Sequence, residues 1–359
     1  MDMGIIIKQE IKNYIKNPLF WIGIMIVIFG VYKTVGPYLN IHYFESDQEI
    51  ENLLIEDESD REFIQGYIPS SAEWQLKMGF AEIKATLMKE FNFSEGDADA
   101  VIKEVGESNT TIPEINEYLE THYQFYGSEY IFDKYEYRKA DKEEANAYLK
   151  DMMKEHTYSF YFSQKFSDFS GLFLVFFAAV MLAFLFVRDT RRDTYELLHT
   201  KPIGSNSYIF GKVAGGLAVV VLVLVILTVV FGGICMIHGK RAGLPVDFRD
   251  MIFASVCYVL PNLLMITSFY AGISLLFKNP LPAVPLLFLY MIYSNMGGRG
   301  PDGRYGYYGR PLAIMVRFPG NFFDTAPPPL VLQNQILLII SSAVLIGLAV
   351  LLWKRRRVY

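Results

Sequence analysis

The sequence predicts an all-α polytopic membrane protein. We expect six transmembrane helices, an N-terminal interfacial helix and a large, mainly helical extracellular domain between the first and second transmembrane helices. The observations are six apolar stretches and a long acidic stretch between the first two of them. The clearest apolar stretch, residues 217–231, holds thirteen Leu, Val, Ile or Phe residues and no charge. Each such residue favours insertion by roughly 0.4 kcal/mol, and a bilayer core of about 30 Å requires about twenty helical residues.

Charge separates the acidic stretch from the rest of the chain. Residues 37–168 hold 29 of the 38 acidic residues but only 12 of the 33 basic ones, so their net charge is −17 against +12 elsewhere. An asymmetry of this size indicates that the two parts lie in different surroundings. The two cysteines, Cys235 and Cys257, fall in predicted spans. We therefore expect packing rather than disulfides to hold the acidic domain together.

Residues 5–16 predict an interfacial helix. One face at helical spacing is apolar, and three lysines at i, i+4 and i+8 form a stripe beside it. Such a helix lies in the headgroup layer with its lysines toward anionic lipid. The alternative is a plain cytosolic leader with flanking positive charge. The apolar face comprises Ile7, Ile11, Tyr14 and Ile15, and the stripe comprises Lys8, Lys12 and Lys16.

Three parts follow from this pattern. We assign 1–36 to the interfacial helix and first span, 37–168 to the acidic extracellular domain and 169–359 to the remaining spans. Helices in the acidic domain are predicted at 45–64, 71–91, 94–105, 113–123 and 142–166, and its aromatic residues are predicted to form the core. The first span is predicted at 19–36, and the later ones at 170–187, 213–237, 251–277, 282–295 and 336–353. In the outer loop, about 296–335, we expect residues 311–318 to dip back and be buried against protein.

Basic residues set the predicted orientation. With the N-terminus in the cytosol, thirteen lysines and arginines lie on the cytosolic side and seven in the two short outer loops. Cytosolic loops carry the excess of positive charge in membrane proteins. We therefore expect a multi-pass protein of the cytoplasmic membrane with both termini cytosolic.

The motifs of a catalytic centre are absent from the sequence. The five histidines form no H-E-x-x-H motif and no G-x-S-x-G motif occurs. Residues 204–212 have the wrong spacing for a phosphate-binding P-loop. A G-x-G-x-x-G match at Gly298, Gly300 and Gly303 follows a membrane span rather than a strand. We therefore expect no enzyme activity, no bound cofactor, no metal site and no nucleic-acid partner.

A short amphipathic helix is predicted between the second and third spans, at residues 191–198. Asp189 or Thr190 caps it, and Lys201-Pro202 ends it. Gly211 and Gly215 then open the third span with the small-xxx-small spacing that permits close helix packing. The alternative is an ordinary basic cytosolic loop. The predicted helix has apolar anchors at Tyr195, Leu197 and Leu198 and polar ones at Arg191, Arg192 and Glu196.

The run from Arg191 to Lys212 resembles the cytosolic segment of ABC-2-type transporter permeases. Asp193 stands where that family frequently has Gly. The interfacial helix and the six-span plan are also similar, whereas the acidic domain lies outside the resemblance. The matching positions are Thr194, Glu196, Leu197, Leu198, Pro202, Ile203, Gly211 and Lys212.

The resemblance implies the permease subunit of an ATP-binding cassette exporter. Such a subunit moves or clears an amphipathic peptide, lipid or drug-like molecule, while ATP and Mg²⁺ bind to a separate ATPase, expected in two copies. A second permease, identical or related, completes the transporter in the bilayer. The resemblance also implies short re-entrant helices between the fifth and sixth spans. The coupling helix, about residues 190–199, is expected to contact the ATPase through Arg191, Arg192, Thr194, Tyr195, Glu196, Leu197 and Leu198.

Polar residues inside the predicted spans are candidates for lining the substrate pathway, because polar groups in lipid are costly and face protein or water. The alternative is helix–helix hydrogen bonding. At the level of function, the alternative is a membrane sensor with an extracellular ligand-binding domain. The acidic domain either attracts or repels a cationic peptide or is a solvated surface that docks on a partner. The candidate lining residues are Asn262, Thr267, Tyr270, Tyr290, Tyr293 and Asn295.

Overall fold

The contacts divide the chain into two compact units. The first unit contains Met1–His42 and Met152–Tyr359, and the second contains Tyr43–Asp60 and Ile64–Asp151. The predicted acidic domain ends at residue 168, whereas the second unit ends at residue 151. The computed structural model describes residues 3–53, 65–108, 111–183, 185–186, 203–277, 279, 281–299, 305–306 and 309–356.

The first unit is a bundle of long apolar helices. Within the described part of the chain, five helical stretches are long and apolar enough to cross a membrane, namely Pro18–Asn40, Tyr158–Leu182, Ser205–Arg241, Phe248–Phe277 and Val331–Arg355. The predicted fifth span is present as a shorter apolar helix, Ala283–Asn295, about 20 Å long at 1.5 Å per residue. The all-α polytopic membrane class is therefore confirmed.

The helices of this unit are numbered with those of the second unit, in chain order. Helix α2 continues into a short 3₁₀ turn, Gly36–Asn40. Two short two-stranded pairs accompany the helices, one in each unit. The membrane-unit helices are α1 (Met3–Ile15), α2 (Pro18–Val35), α9 (Tyr158–Leu182), α10 (Ser205–Arg241), α11 (Phe248–Ala254), α12 (Leu260–Phe277), α13 (Ala283–Asn295) and α14 (Val331–Arg356).

The second span begins well before the predicted residue 170. Helix α8 (Lys142–Glu155) ends first, and α9 starts afresh at Tyr158, so the single helix predicted over 142–166 is wrong. Thr157 caps the new helix, since its hydroxyl accepts a hydrogen bond from the Phe160 amide at 3.1 Å. The first residues of α9 are polar, which is why they were predicted to belong to the acidic domain. In the structure they are buried against other parts of the bundle.

Helix α1 packs closely on the start of α10. Ile6, Glu10 and Tyr14 form its buried face, so the predicted apolar face is displaced by one residue, and only Tyr14 belongs to both. A Cβ added to Gly211 would lie 2.9 Å from Ile6 Cβ, and one added to Gly215 would lie 2.6 Å from Glu10 Cβ. The small-xxx-small spacing therefore marks the contact between α1 and α10.

The fourth span is irregular near its start. A π-helical turn, Ser255–Val259, joins α11 to α12. Pro261 lacks the amide that would bond to the carbonyl of residue 257, which favours a local change of hydrogen-bond register. The Ser255 hydroxyl lies 2.7 Å from that of Thr228 on α10, so a side-chain hydrogen bond joins the two helices at this turn.

The second unit is mainly helical, with one short antiparallel strand pair. Strands β1 (Tyr67–Pro69) and β2 (Tyr137–Lys139) pair antiparallel, with Ile68 opposite Arg138. The prediction missed both strands, and also a short helix that precedes β2. The helices are α3 (Asp47–Glu51), α4 (Ala72–Glu90), α5 (Glu95–Ser108), α6 (Ile112–Tyr123), α7 (Ser128–Lys134) and the larger part of α8.

Packing of α4, α5, α6 and α7 forms the core of this unit. Phe132 is fully buried, and a Cβ on Gly79 would lie 2.3 Å from its ring, so α4 and α7 are in close contact. Phe125 belongs to the core as predicted, whereas Tyr126 is 74% exposed. Ser94 caps α5, accepting a hydrogen bond from the Asp97 amide at 3.2 Å.

We expect Gly215→Ala to loosen α1 from α10, because the new methyl group would overlap Glu10. Overpacking of this kind costs about 1–3 kcal/mol, more than the helix propensity that Ala gains over Gly. The measurement is the thermal unfolding temperature in detergent. Gly233→Ala on the same helix, with no described atom within 4 Å of the added Cβ, is the control. Equal unfolding temperatures for the two variants would contradict this packing.

Candidate functional site: two buried charge clusters

The predicted coupling helix lies outside the described residues, as do all of Arg191, Arg192, Thr194, Tyr195, Glu196, Leu197 and Leu198. The nearest described residues on either side of it are 185–186 and 203. Leu185 and Phe186 follow the end of α9, and Gly204 caps the start of α10. The contacts of these flanking residues show which helices lie next to the segment.

The first charge cluster lies where α9, α10 and α1 meet. The Lys212 ammonium is 2.7 Å from a Glu10 carboxylate oxygen and donates a hydrogen bond to the Leu185 carbonyl at 3.3 Å. The Phe186 and Tyr208 rings lie at 5.8 and 6.0 Å from it, within cation–π range. One ammonium therefore joins the end of the second span, the start of the third and the N-terminal helix.

Burial makes this ion pair a strong constraint. The side chains of Lys212 and Glu10 are 8% and 10% exposed. A buried charge is tolerated where an opposite charge and hydrogen bonds meet it, and removal of one partner of such a pair costs about 3–5 kcal/mol. Tyr208, next to the cluster, stacks on Trp353 of α14 at 4.4 Å, which adds the last span to the group.

The second charge cluster lies near the other end of α9. Lys165 donates hydrogen bonds to the carbonyls of Phe318 and Gly320 at 2.9 and 2.6 Å. Asp168 accepts one from the Phe318 amide at 2.8 Å and pairs with Arg317. Lys165 and Asp168 are 3% and 4% exposed. Two buried charges on one helix thus satisfy the backbone of an irregular segment far along the chain.

This irregular segment, residues 311–320, is buried against protein as predicted. Ala313, Ile314, Met315 and Val316 are each at most 5% exposed. The chain is not helical here, so the short re-entrant helices implied by the resemblance are wrong for this segment. Without a helix, its backbone groups need side-chain partners. Asn334, for example, donates to the Ala313 carbonyl at 2.9 Å.

Three of the candidate lining residues also hold this segment. The Tyr290 hydroxyl donates to the Leu312 carbonyl at 2.5 Å, and the Tyr293 hydroxyl donates to the Pro311 carbonyl at 2.9 Å. The Asn295 carbonyl accepts a hydrogen bond from the Arg317 guanidinium at 2.5 Å. Side chains at the end of α13 therefore hold the segment together with those of α9.

The other three candidates lie on α12. Tyr270 donates to the Ala179 carbonyl of α9 at 2.6 Å, a hydrogen bond between two helices. Thr267 bonds within its own helix. Asn262 donates to the Tyr258 carbonyl at 2.6 Å, while its own carbonyl oxygen is buried with no hydrogen-bond partner among the described residues. A lining role for these six residues stays a prediction.

The most buried charged residues were not among the predicted site residues. Glu10 was assigned to no face of the interfacial helix, and Lys165 and Asp168 were placed in the acidic domain. A usable signal was present, because a charge within or beside an apolar stretch usually marks a paired or functional position. Among the described residues, no group of three or more His, Cys, Asp or Glu side chains is arranged to hold a metal ion.

In the acidic unit, one carboxylate binds two tyrosines. Glu104 accepts hydrogen bonds from the Tyr118 and Tyr123 hydroxyls at 2.7 and 2.8 Å. These bonds hold the pKa of Glu104 below its usual range and raise that of Tyr118. Burial, together with Glu104, raises the pKa of Tyr123 to about 12. This carboxylate is thus engaged in holding α5 to α6.

Comparison with known proteins gives one family. Residues 5–302 match the family model described as ABC-2 family transporter protein. The matched range runs from α1 through the acidic unit to the loop after α13. Searches of curated proteins and of solved structures found no match.

A double-mutant cycle tests the first cluster. We expect Lys212→Met to destabilise the protein by about 3–5 kcal/mol, since it leaves the Glu10 carboxylate buried without its cation. We expect Glu10→Met with Lys212→Met to recover most of that loss, because an apolar pair needs no solvation. The measurement is unfolding in detergent. A double variant as unstable as the sum of the single ones would contradict the assigned pairing.

Asp168→Asn is expected to release the buried segment, because it removes the charge that holds Arg317 and weakens the acceptor for the Phe318 amide. The measurement is maleimide labelling of Val316→Cys in a background with Cys235 and Cys257 replaced by Ser. We expect labelling at least tenfold faster. The control is Asp247→Asn, whose partner Arg249 is exposed. Equal labelling rates with and without Asp168→Asn would refute the role of Asp168.

Proposed function

This chain belongs to the ABC-2 family of transporter proteins and is a permease subunit, and we propose that it serves an exporter. The proposed cargo is amphipathic (a peptide, a lipid or a drug-like molecule), moved across or cleared from the cytoplasmic membrane. The energy comes from ATP and Mg²⁺ bound by a separate ATPase subunit in two copies. The observation that carries the proposal is the family match together with the Lys212 cluster beside the predicted coupling segment. The match favours transport over the membrane sensor.

The proposed topology has six crossings. The short helix α13 completes the count, with the buried segment 311–320 filling the depth that its 13 residues leave uncovered. Irregular backbone at membrane depth is tolerated where it is buried in protein. Both termini then lie in the cytosol, and the acidic unit lies outside the cell.

Coupling to the ATPase is proposed to pass through residues 190–199. The two ends of this segment lead into α9 and α10, which Lys212 joins through the Leu185 carbonyl. Glu10 adds α1 to the same point. A displacement of the segment by the ATPase is therefore expected to move these three helices together rather than to bend a loop between them.

Helix α9 is proposed to transmit movement between the two ends of the bundle. The cluster of Lys212 is at one end, and Asp168 contacts segment 311–320 near the other. From Asp168 to Leu182 the helix rises about 21 Å at 1.5 Å per residue. The buried charges make the contact with Phe318 and Gly320 directional, so a shift of α9 along its axis would pull on that segment. We propose that this movement opens and closes the outer end of the pathway, formed with a second permease, identical or related.

The coupling proposal is tested by changing Arg191, Arg192 and Glu196 to Ala together. We expect normal membrane insertion but at least a tenfold loss of transport-linked ATPase activity, because the polar contacts with the ATPase are removed. The measurement is ATP hydrolysis by the complex purified with its ATPase. Lys8→Ala with Lys12→Ala, which also removes basic charge but from the exposed face of α1, is the control.

The competing outcomes are distinct. Unchanged hydrolysis and co-purification in the triple variant would contradict the assignment of the coupling segment. A wild-type chain that retains no ATPase subunit during gentle purification, and that transports without one, would contradict the proposed function itself.

A further inference from the structure

A cavity of about 290 Å³ opens beside the buried segment. Its walls come from the start of that segment and from the turn that leads into α14. Most of the lining side chains are apolar, and one is cationic. The described residues that line it are Gly309, Arg310, Pro311, Ala313, Met315, Val316, Pro328, Pro329, Leu330, Val331, Gln333, Asn334 and Leu337.

Charge and apolar surface come from different parts of the cavity lining. Arg310 donates to the Gly297 carbonyl at 3.0 Å and lies 5.5 Å from the Tyr293 ring, so it is level with the end of α13. Aromatic and basic side chains at helix ends mark the headgroup layer. Leu337 lies six residues beyond Val331, the first residue of α14, which is about 9 Å along that helix. In the proposed topology, the cationic end of the cavity lies at headgroup depth and the apolar end lies in the hydrocarbon.

The cavity is continuous with the lipid-facing surface of α14. Leu337 is 40% exposed, and Ile340 and Val344 continue the same exposed apolar stripe down the helix. Leu330 at the rim is 71% exposed. An acyl chain lying along this stripe therefore reaches the cavity without crossing a polar barrier.

One polar atom of the lining lacks a partner. The Asn334 carbonyl oxygen is buried, and no described residue donates a hydrogen bond to it. A buried acceptor without a donor costs about 1–3 kcal/mol. A hydroxyl group on a lipid headgroup or glycerol supplies the donor when the Asn334 side chain turns toward the cavity, whereas an acyl chain alone would not.

We propose that this cavity binds one anionic phospholipid of the surrounding bilayer. The phosphate lies against Arg310, a headgroup hydroxyl donates to Asn334, and an acyl chain packs on Met315, Val316 and Leu337. Because the same residues form the wall of segment 311–320, the bound lipid stabilises that segment. The inference does not rest on export, since it concerns a lipid bound with or without an ATPase.

The experiment uses the full chain in nanodiscs with equal amounts of dioleoyl-phosphatidylglycerol and dioleoyl-phosphatidylcholine, followed by native mass spectrometry. We expect about tenfold preferential retention of one phosphatidylglycerol. Arg310→Gln is expected to reduce the preference below about twofold, and Arg310→Lys to keep most of it. Leu337→Trp, which fills the cavity, is expected to abolish retention of both lipids.

Matched controls come from the same surfaces. Leu351→Trp changes an exposed residue farther down α14, and Arg249→Gln removes an exposed arginine that does not line the cavity; both are expected to retain lipid as the wild type does. Equal retention of the two lipids by the wild type, or unchanged retention in Leu337→Trp, would overturn the proposal. A change from dimer to monomer in Leu337→Trp with retention unaltered would instead identify the cavity as an interface between copies.

Discussion

The cost of a buried charge is the constraint on which the membrane unit depends. Lys212 lies near the start of a long apolar helix, and its ammonium is stable there because Glu10, the Leu185 carbonyl and two aromatic rings surround it. Glu10 belongs to α1, the Leu185 carbonyl and the Phe186 ring follow the end of α9, and the Tyr208 ring belongs to α10. The electrostatic requirement of one side chain therefore fixes the relative positions of three helices.

The same physics acts again near the other end of α9. Lys165 and Asp168 would be costly in an apolar bundle, but they meet the carbonyl and amide groups of an irregular segment that also needs partners. The charged side chains supply hydrogen-bond partners to the backbone groups, and the backbone groups supply hydrogen-bond partners to the buried charges. Because both clusters contact α9 or the residues just after it, this helix connects the Lys212 cluster to the buried segment through hydrogen-bonded contacts.

Local patterns predicted what local chemistry controls. The spacing of Gly211 and Gly215 predicted a close helix contact, which the structure confirms. The helix predicted over residues 94–105 is present as α5 (Glu95–Ser108). Predictions failed where a distant partner decided the outcome. The α1 face turned by one residue because Glu10 pairs with a lysine some two hundred positions away, and the short strands were missed because their three-residue length carries little periodicity.

The sequence by itself determined the membrane class, the order of the apolar helices, the inserted acidic unit and the resemblance to a transporter family. Hydropathy and motif spacing suffice for these, because each is a property of a contiguous segment. Only the tertiary structure decided that Asp168 holds Phe318, that the segment after α13 is irregular, and that Arg310 lines a mostly apolar cavity. Those features depend on which groups meet across 150 residues or more, or across two helices and a loop, and burial rather than local preference sets their energy.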